Sequence, residues 1–297
     1  MFLKELIKKG TATISTAYPE REAREMVLVY LAWAIGVQRH THIIEPEYQV
    51  SEEDAQKAES AFARMAAGEP LQYITGQADF YGREFRVNPS VLIPRPETEI
   101  LCREVAQRVK LLGMKNPAIL DLCTGSGCIA WTVALECPGA RVTAVDISDG
   151  ALSTASSQDF GQEQKVSGAR SPKFMKSDVL NVSQCCKDVT SEEGVYDVII
   201  SNPPYVKDSE KALMRQNVLD HEPHLALFVS DEDPLLFYRA VAKWALLMLK
   251  PGGYGMVEIN EALASGTEKI FRDTGFRDIS TIRDLYDRDR FVTFRYL

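Results

Sequence analysis

The four residues Asn202-Pro203-Pro204-Tyr205 combine groups that could hold a planar NH2 group. The Asn202 side-chain oxygen can accept one N–H, and a backbone carbonyl of the proline pair can accept another, because prolines keep that carbonyl out of a helix. Tyr205 offers a flat face to the same group. Two acceptors would orient the nitrogen toward an electrophile and stabilise the positive charge that it gains. A plain strand-terminating turn is the alternative interpretation.

The motif lies directly behind the apolar run Val198-Ile199-Ile200. A short apolar run bounded by a Pro-Pro corner predicts a buried strand that ends at the carboxyl edge of a parallel sheet. Open α/β folds bind their ligands at that edge. We therefore expect residues 202–205 to lie where a reaction would take place.

A second segment, upstream, predicts a strand, a glycine turn and a helix in succession. The strand covers residues 118–122 and includes Asp121. The glycines that follow let the backbone approach a ligand closely, and the helix N-terminus favours a negative group. The next strand ends at Asp146, about 20 residues after the turn, which suits a carboxylate that binds ribose hydroxyls. The turn itself consists of Cys123, Thr124, Gly125, Ser126 and Gly127.

The glycine pattern, extended to Ala130, also fits a dinucleotide fingerprint, so it does not by itself separate a nicotinamide cofactor from S-adenosylmethionine. Three features favour the methyl donor. Asp121 would be an awkward neighbour for a pyrophosphate but suits a cationic amino-acid group. Asp178-Val179 follows a predicted third strand and places a carboxylate where an adenine amino group could bind. The Asn-Pro-Pro-Tyr motif has a role beside a methyl sulfonium and none beside a nicotinamide.

The sequence resembles the PrmC/HemK family of release factor glutamine methyltransferases over nearly its whole length. The most specific part is the string Ile-Pro-Arg-Pro-Glu-Thr-Glu at 93–99 together with Asn-Pro-Pro-Tyr. Other matching segments are Gln72-Tyr73-Ile74, Phe80-Tyr81-Gly82, Glu222-Pro223, Phe237-Tyr238-Arg239 and Lys250-Pro251-Gly252-Gly253.

The resemblance implies methyl transfer from S-adenosylmethionine to the side-chain amide nitrogen (N5) of the glutamine in the Gly-Gly-Gln loop of class I peptide chain release factors. It implies that Asn202, Pro203, Pro204 and Tyr205 hold the glutamine. The residues that it implies for binding the donor are Asp121, Cys123, Thr124, Gly125, Ser126, Gly127, Asp146, Asp178, Val179 and Asn202.

Three departures from the family pattern bear on donor affinity more than on activity. Cys123 replaces a glycine, so the turn must accommodate a Cβ. Gln158 stands where an asparagine is usual, and residues 258–261 are Glu-Ile-Asn-Glu where Glu-Ile-Gly followed by glutamine is usual.

The main alternative is a nucleic-acid amino methyltransferase acting on an exocyclic base NH2, which would need the same acceptor geometry. The net charge of −8 and the dispersed lysines and arginines disfavour it, because such enzymes carry a basic face for phosphates. A non-enzymatic S-adenosylmethionine sensor would leave Asn-Pro-Pro-Tyr without a purpose. We therefore expect no nucleic-acid substrate.

Composition agrees with a globular cytoplasmic enzyme. Hydrophobic residues make up 45% of the 297-residue chain, and no apolar run is long enough to span a bilayer. Residues 1–10 resemble neither a signal peptide nor a transit peptide. The six cysteines form no Cys-x-x-Cys pair, so reduced thiols and no metal site are expected. We expect a monomer, because the sequence has no heptad pattern and no apolar stripe that would indicate a subunit interface.

The order of patterns predicts an α/β protein in three parts. Apolar residues at helical spacing predict a small all-α domain over residues 1–70, for which the resemblance implies release-factor docking. Short aromatic and β-branched runs broken by glycine predict a β-hairpin linker over 71–94. Residues 95–297 alternate helix and strand signals, which predicts a class I methyltransferase domain. Its Rossmann-like sheet should be mostly parallel with an antiparallel C-terminal edge.

Two further expectations concern loops. The prolines in residues 93–97 exclude regular structure, and we hypothesise that this stiff loop lies over the active site and frames the glutamine entrance. The polar stretches 159–172 and 181–194 are predicted to be surface loops.

Overall fold

The computed structural model describes residues 1–189 and 194–297. The chain divides into two compact units. The first unit comprises Met1–Gln77 with Met214–His221, and the second comprises Ala78–Leu213 with Glu222–Leu297. A segment from the second half of the sequence thus belongs to the N-terminal unit.

The bounds of the elements are as follows. The helices are α1 Leu3–Ile14, α2 Glu20–Ile35, α3 Thr41–Ile44, α4 Glu52–Ala66, α5 Leu71–Thr75, α6 Glu99–Leu111, α7 Cys128–Glu136, α8 Asp149–Ser156, α9 Gly161–Ser167, α10 Val182–Val189, α11 Gln216–His221, α12 His224–Leu227, α13 Leu236–Met248 and α14 Ala264–Thr274. The strands are β1 Gln77–Phe80, β2 Arg83–Arg86, β3 Ala118–Leu122, β4 Arg141–Asp146, β5 Lys173–Lys176, β6 Tyr196–Ser201, β7 Val206–Lys207, β8 Phe228–Val229, β9 Leu249–Glu258, β10 Arg277–Arg283 and β11 Asp289–Arg295.

The N-terminal unit is built on the packing of α1, α2 and α4. Leu6 and Ile7 of α1 are buried, and the ring of Phe62 in α4 packs so close to Gly10 that a Cβ there would lie 2.5 Å from it. The helix α4 begins after Ser51, whose hydroxyl accepts a hydrogen bond from the Asp54 amide at 3.0 Å. This is the capping geometry that its sequence predicts.

Residues 71–75 form the helix α5 rather than part of the predicted hairpin. Pro70 precedes this helix, and Gly76 ends it in the left-handed conformation with a φ of 73°. Proline before a first turn and glycine after a last turn are typical helix boundaries, and here they outweigh the β-branched residues between them. The hairpin is confined to β1 and β2.

The second unit carries a seven-stranded sheet in the order β10-β11-β9-β6-β3-β4-β5. The strands β3, β4, β5, β6 and β9 are parallel, while β11 runs antiparallel to both β9 and β10. All five residues of β3 are buried, as expected where helices cover both faces of a sheet. The predicted α/β fold with a mostly parallel sheet and an antiparallel C-terminal strand is confirmed.

The strand β10 and the helices α9 and α10 also differ from the prediction. The edge strand β10 was not expected, because its residues are mostly polar and exposed or half-buried. Residues 159–172 contain α9, and residues 181–194 contain α10, where we predicted only loops. The part of the second stretch at 190–193 lies outside the described residues. Among the described helices, none is both long and apolar enough to cross a membrane.

The carboxyl ends of β3 and β6 meet where the strand order reverses. Leu122 of β3 lies opposite Ser201 of β6, and the Ser201 hydroxyl donates a hydrogen bond to the Leu122 carbonyl at 2.8 Å. The next residues along the chain, Cys123 and Asn202, therefore leave the sheet side by side. Such a switch point is where open α/β sheets bind ligands.

Candidate active site

A cavity of about 340 Å³ lies in the second unit, at the carboxyl ends of β3, β4, β5 and β6. This volume is in the range of about 300–1,000 Å³ that is usual for small-molecule sites. Four of the predicted residues, Asp121, Gly127, Pro203 and Tyr205, are not part of its wall. The predicted residues that do line it are Cys123, Thr124, Gly125, Ser126, Asp146, Asp178, Val179, Asn202 and Pro204.

The turn between β3 and α7 depends on left-handed backbone conformations. The φ angles are 63° at Cys123, 56° at Gly125 and 79° at Gly127. A Cβ at Gly127 would lie 2.9 Å from the Cβ of Ala155, so only glycine fits there. Cys123 adopts its conformation at a steric cost that a glycine would not have. The turn brings the N-terminus of α7 to the cavity, where Cys128 and Ile129 are part of the wall.

Asp121 lies behind this turn and not in the cavity wall. Its carboxylate is fully buried, and Oδ2 accepts a hydrogen bond from the Thr124 hydroxyl at 2.6 Å. Burial raises the pKa of Asp121 to about 7, with the hydrogen bond from Thr124 opposing the shift. In this position Asp121 holds the turn through Thr124, which itself lines the cavity.

Asp146 and Asp178 place two carboxylates in the cavity wall. Asp146 Oδ2 accepts from the Gly125 amide and Oδ1 from the Ser148 amide, both at 2.9 Å. Burial raises the pKa of Asp146, and these backbone donors lower it in opposition. Asp178 Oδ1 accepts from the Leu180 amide at 2.9 Å. Each carboxylate has further lone pairs for hydroxyl or amine donors.

These residues fit S-adenosylmethionine. Asp146 and Asp178 can accept from ribose hydroxyls and an adenine amino group, and the α7 N-terminus with the open Gly125 can receive a carboxylate. Part of the wall is apolar and suits a flat aromatic ring. The apolar side chains there are Ile129, Ile147, Val179, Leu225 and Phe237.

The Asn-Pro-Pro-Tyr motif is held at both ends by one buried carboxylate. Asn202 Nδ2 donates to the Thr98 hydroxyl oxygen at 3.2 Å, and that hydroxyl donates to Glu258 Oε2 at 2.7 Å. Tyr205 OH donates to Glu258 Oε1 at 3.0 Å. Glu258 is the last residue of β9 and is 1% exposed. Sequence reasoning missed the functional position of Thr98 and Glu258.

A second set of hydrogen bonds fixes the backbone of Tyr205. Asn260 Nδ2 donates to the Tyr205 carbonyl at 3.2 Å and to Glu210 at 2.9 Å, and the Asn260 amide donates to Tyr238 OH at 3.1 Å. Burial first, and then the nearby Glu258, raises the pKa of Tyr205 well above its usual value. The phenol is therefore a neutral donor, outside the cavity wall where we expected a flat binding face.

The stiff loop at 93–97 contributes Pro94 and Arg95 to the cavity wall. Regular structure was not expected here, but a short 3-10 helix begins within the loop and covers Pro96–Thr98, since proline suits the first position of a helix. The geometry of the loop depends on Glu222, which is buried and accepts from the Ile93 amide at 3.2 Å and from the Arg95 guanidinium at 2.6 Å. Glu97, the other charged residue of the loop, is not part of the wall. Within the described residues, no group of three or more His, Cys, Asp or Glu is placed to hold a metal ion.

Comparisons with known proteins agree with this geometry. A family model described as the PrmC N-terminal domain matches residues 5–76, and one described as the methyltransferase small domain matches residues 97–226. A release factor glutamine methyltransferase of Bacteroides thetaiotaomicron is 37% identical over 95% of both chains. One of Flavobacterium psychrophilum is 33% identical over 100% of both chains.

A solved structure supports the fold alone. The 16S rRNA methyltransferase of T. thermophilus, in complex with AdoMet and guanosine, matches with a TM-score of 0.50 and 18% identity. The match covers 74% of this chain and 50% of that one. The predicted family, the methyltransferase fold and S-adenosylmethionine as the methyl donor are confirmed by the family models and relatives. This chain belongs to the family of release factor glutamine methyltransferases and is an S-adenosylmethionine-dependent methyltransferase.

Proposed function

We propose that this enzyme transfers a methyl group from S-adenosylmethionine to the side-chain amide nitrogen (N5) of the glutamine in the Gly-Gly-Gln loop of class I peptide chain release factors. The support is the family together with one observation at the site. Asn202 lies in the wall of the donor cavity, and its carboxamide has a defined orientation.

That orientation follows from the direction of the hydrogen bonds. The Thr98 hydroxyl donates its proton to Glu258, so it can only accept from Asn202. The Asn202 NH2 group therefore faces Thr98, and Asn202 Oδ1 is left to accept an N–H from a substrate. A glutamine amide has two such N–H groups, and a carbonyl of Pro203 or Pro204 would accept the second.

The chain contributes orientation and charge stabilisation. When bound, the donor supplies an electrophilic methyl group and leaves as a neutral thioether. The acceptors at 202–204 hold the amide plane so that its nitrogen faces the methyl group, and they stabilise the positive charge that forms on it. The nitrogen then loses a proton to water, so no strong base is needed. Orientation of this kind can account for about 7–11 kcal/mol of the barrier.

The N-terminal unit is proposed to dock the release factor. Val29 and Trp33 are one helical turn apart on α2 and are 44% and 47% exposed. Ile43 and Ile44 of α3 are 70% and 67% exposed. Neighbouring exposed apolar side chains, such as the pair on α2, are typical of protein-binding surfaces. The enzyme is further proposed to act as a monomer in the cytoplasm, without a nucleic-acid substrate.

The function is tested with labelled S-adenosylmethionine. A purified class I release factor, its Gly-Gly-Gln variant with alanine in place of glutamine, bulk DNA and bulk RNA are offered separately to the enzyme and to Asn202→Ala. We expect label on the wild-type factor alone, and a rate that falls about 10²- to 10³-fold with Asn202→Ala. Label on nucleic acid would overturn the proposed substrate. So would label on the release factor that carries alanine in place of the glutamine, at the same rate as on the wild-type factor.

A further inference from the structure

Glu258 is a buried carboxylate that the transfer of the methyl group does not itself require. It lies at the end of β9 and contacts the hydroxyl groups of Thr98 and Tyr205, which come from different parts of the chain. Burial raises the pKa of Glu258, and both hydroxyl groups lower it in opposition. The other titratable or charged groups that face it are Glu97, Cys128, Tyr238 and Arg290.

The ionised carboxylate determines the direction of the hydrogen bonds around it. An ionised carboxylate only accepts, so Thr98 and Tyr205 must both donate to it. Thr98 has one proton, and once that proton points to Glu258 the remaining lone pairs can only accept from Asn202. The side-chain oxygen and nitrogen of an asparagine are otherwise nearly equivalent in shape. At this site, Glu258 therefore determines which of the two atoms of Asn202, oxygen or nitrogen, faces the substrate.

Loss of that direction would place the wrong group toward the substrate. If Glu258 could donate, the Thr98 proton would be free to turn toward Asn202, and the Asn202 carboxamide could rotate by half a turn. Its NH2 group would then face the NH2 group of the incoming amide. Two donors cannot form a hydrogen bond with each other, so the substrate nitrogen would lose one of its two acceptors.

We propose that Glu258 and Thr98 are positioning residues that set the orientation of the Asn202 carboxamide and so present Oδ1 to the substrate amide. The inference rests on the proposed function, in which Asn202 holds a planar NH2 group. Glu258 is not part of the cavity wall, and Thr98, which is, need not touch the substrate amide to have this effect. Their effect reaches the reaction through the hydrogen-bond relay Asn202–Thr98–Glu258.

The test compares steady-state methylation of the release factor with direct binding of S-adenosylmethionine for Thr98→Val, Thr98→Ser and Glu258→Gln. Valine has the shape of threonine without the hydroxyl, and serine keeps the hydroxyl. We expect Thr98→Val and Glu258→Gln to lower kcat by about 10-fold or more, with the Kd of S-adenosylmethionine within about twofold of wild type. Thr98→Ser should stay within about threefold of wild type.

Two further readouts separate positioning from a structural effect. The double variant Thr98→Val/Glu258→Gln should lose no more than about threefold beyond the worse single variant, because both act through one relay. The kcat of the wild type should fall at acid pH as Glu258 is protonated. The kcat of Glu258→Gln should not show this fall. The matched control is Thr267→Val, a buried threonine of α14 whose hydroxyl has no partner in the described structure.

The experiment distinguishes failure of the positioning proposal from failure of the proposed function. If wild-type enzyme leaves the release factor unlabelled, the proposed function fails. If wild type labels the factor and Thr98→Val keeps kcat within about twofold, the positioning proposal fails. It fails equally if Thr98→Val and Thr267→Val lower kcat alike, or if the losses track weaker donor binding.

Discussion

Gln158 Nε2 donates a hydrogen bond to the Ser126 carbonyl at 3.0 Å, which ties a residue two positions beyond the end of α8 to the turn between β3 and α7. The same side chain makes two hydrogen bonds to the backbone of Arg86 in β2, at 2.8 Å to its amide and 2.9 Å to its carbonyl. Gln158 is buried. One carboxamide therefore joins the hairpin to the turn, at a position where the resemblance led us to expect asparagine.

Shortening this side chain is expected to loosen both connections. Asparagine lacks one methylene group, so Gln158→Asn cannot reach Arg86 and Ser126 together from the same backbone. We expect a loss of about 2 kcal/mol in the free energy of unfolding, since buried polar groups lose their partners. Donor affinity should fall as well, because Ser126 lines the cavity. Urea unfolding and titration with S-adenosylmethionine measure both; an unchanged midpoint would contradict this account.

Cys123 offers a test of the left-handed turn. At a φ of 63° a β-branched residue is strained, whereas glycine is not. We expect Cys123→Val to lower the free energy of unfolding by about 2 kcal/mol or more, and Cys123→Gly to stay within about 1 kcal/mol of wild type. Thermal unfolding of the two variants side by side measures the difference. Equal stability of the two would show that the backbone conformation is not the limiting factor.

Much of the fold was predictable from local patterns. The strand β3 was predicted with the bounds that the structure has, because a strand covered on both faces forms a nearly continuous apolar run. The end of β4 at Asp146 was also predicted. The edge strand β10 was missed, because its polar side chains carry no such signal and its pairing with β11 supplies the order. The helix α9 has no buried residue, so its sequence shows no apolar face.

The site was predictable only where its residues are neighbours in sequence. The turn and the Asn-Pro-Pro-Tyr motif are continuous strings, and both contribute to one cavity. The hydrogen bond between Thr98 and Glu258 joins residues 160 positions apart, and no local pattern predicts it. Arg95 and Glu222 are 127 positions apart. Arg95, Thr98 and Glu222 lie in segments that match the family, but the resemblance does not predict the contacts that they make.

Asp121 should make stability depend on pH. Its pKa is about 7 in the folded protein, above the usual value of 3.8, so the folded state holds this proton more tightly than the unfolded chain. The associated stability is present below about pH 4 and is lost as pH rises to about 7, for a total on the order of 4 kcal/mol. Asp121→Asn should lack this component. Unfolding free energies from pH 4 to 8 measure it, with exposed Asp79→Asn as a control for the lost charge.

The ion pair between Arg95 and Glu222 should support the cavity wall. Arg95→Ala leaves the buried Glu222 carboxylate with only the Ile93 amide of its two described partners, so the 93–97 loop should become less ordered. We expect kcat/KM for the release factor to fall about 10-fold. Glu97→Ala is the matched comparison, because Glu97 belongs to the same loop but not to the wall. Steady-state kinetics that match wild type for both variants would refute the loop's role in framing the entrance.

The exposed face of α2 should contribute to recognition of the whole release factor and not to the chemistry. Trp33→Ser combined with Val29→Ser removes apolar surface while leaving the buried residues of α2 in place. We expect KM for the intact factor to rise about 10-fold, with kcat at saturation and the Kd of S-adenosylmethionine unchanged, because contacts remote from the reacting atoms contribute uniform binding. Leu285→Ser, at a residue 92% exposed in the second unit, is the control. An unchanged KM in the α2 variant, or an equal rise in the control, would remove this face as the docking surface.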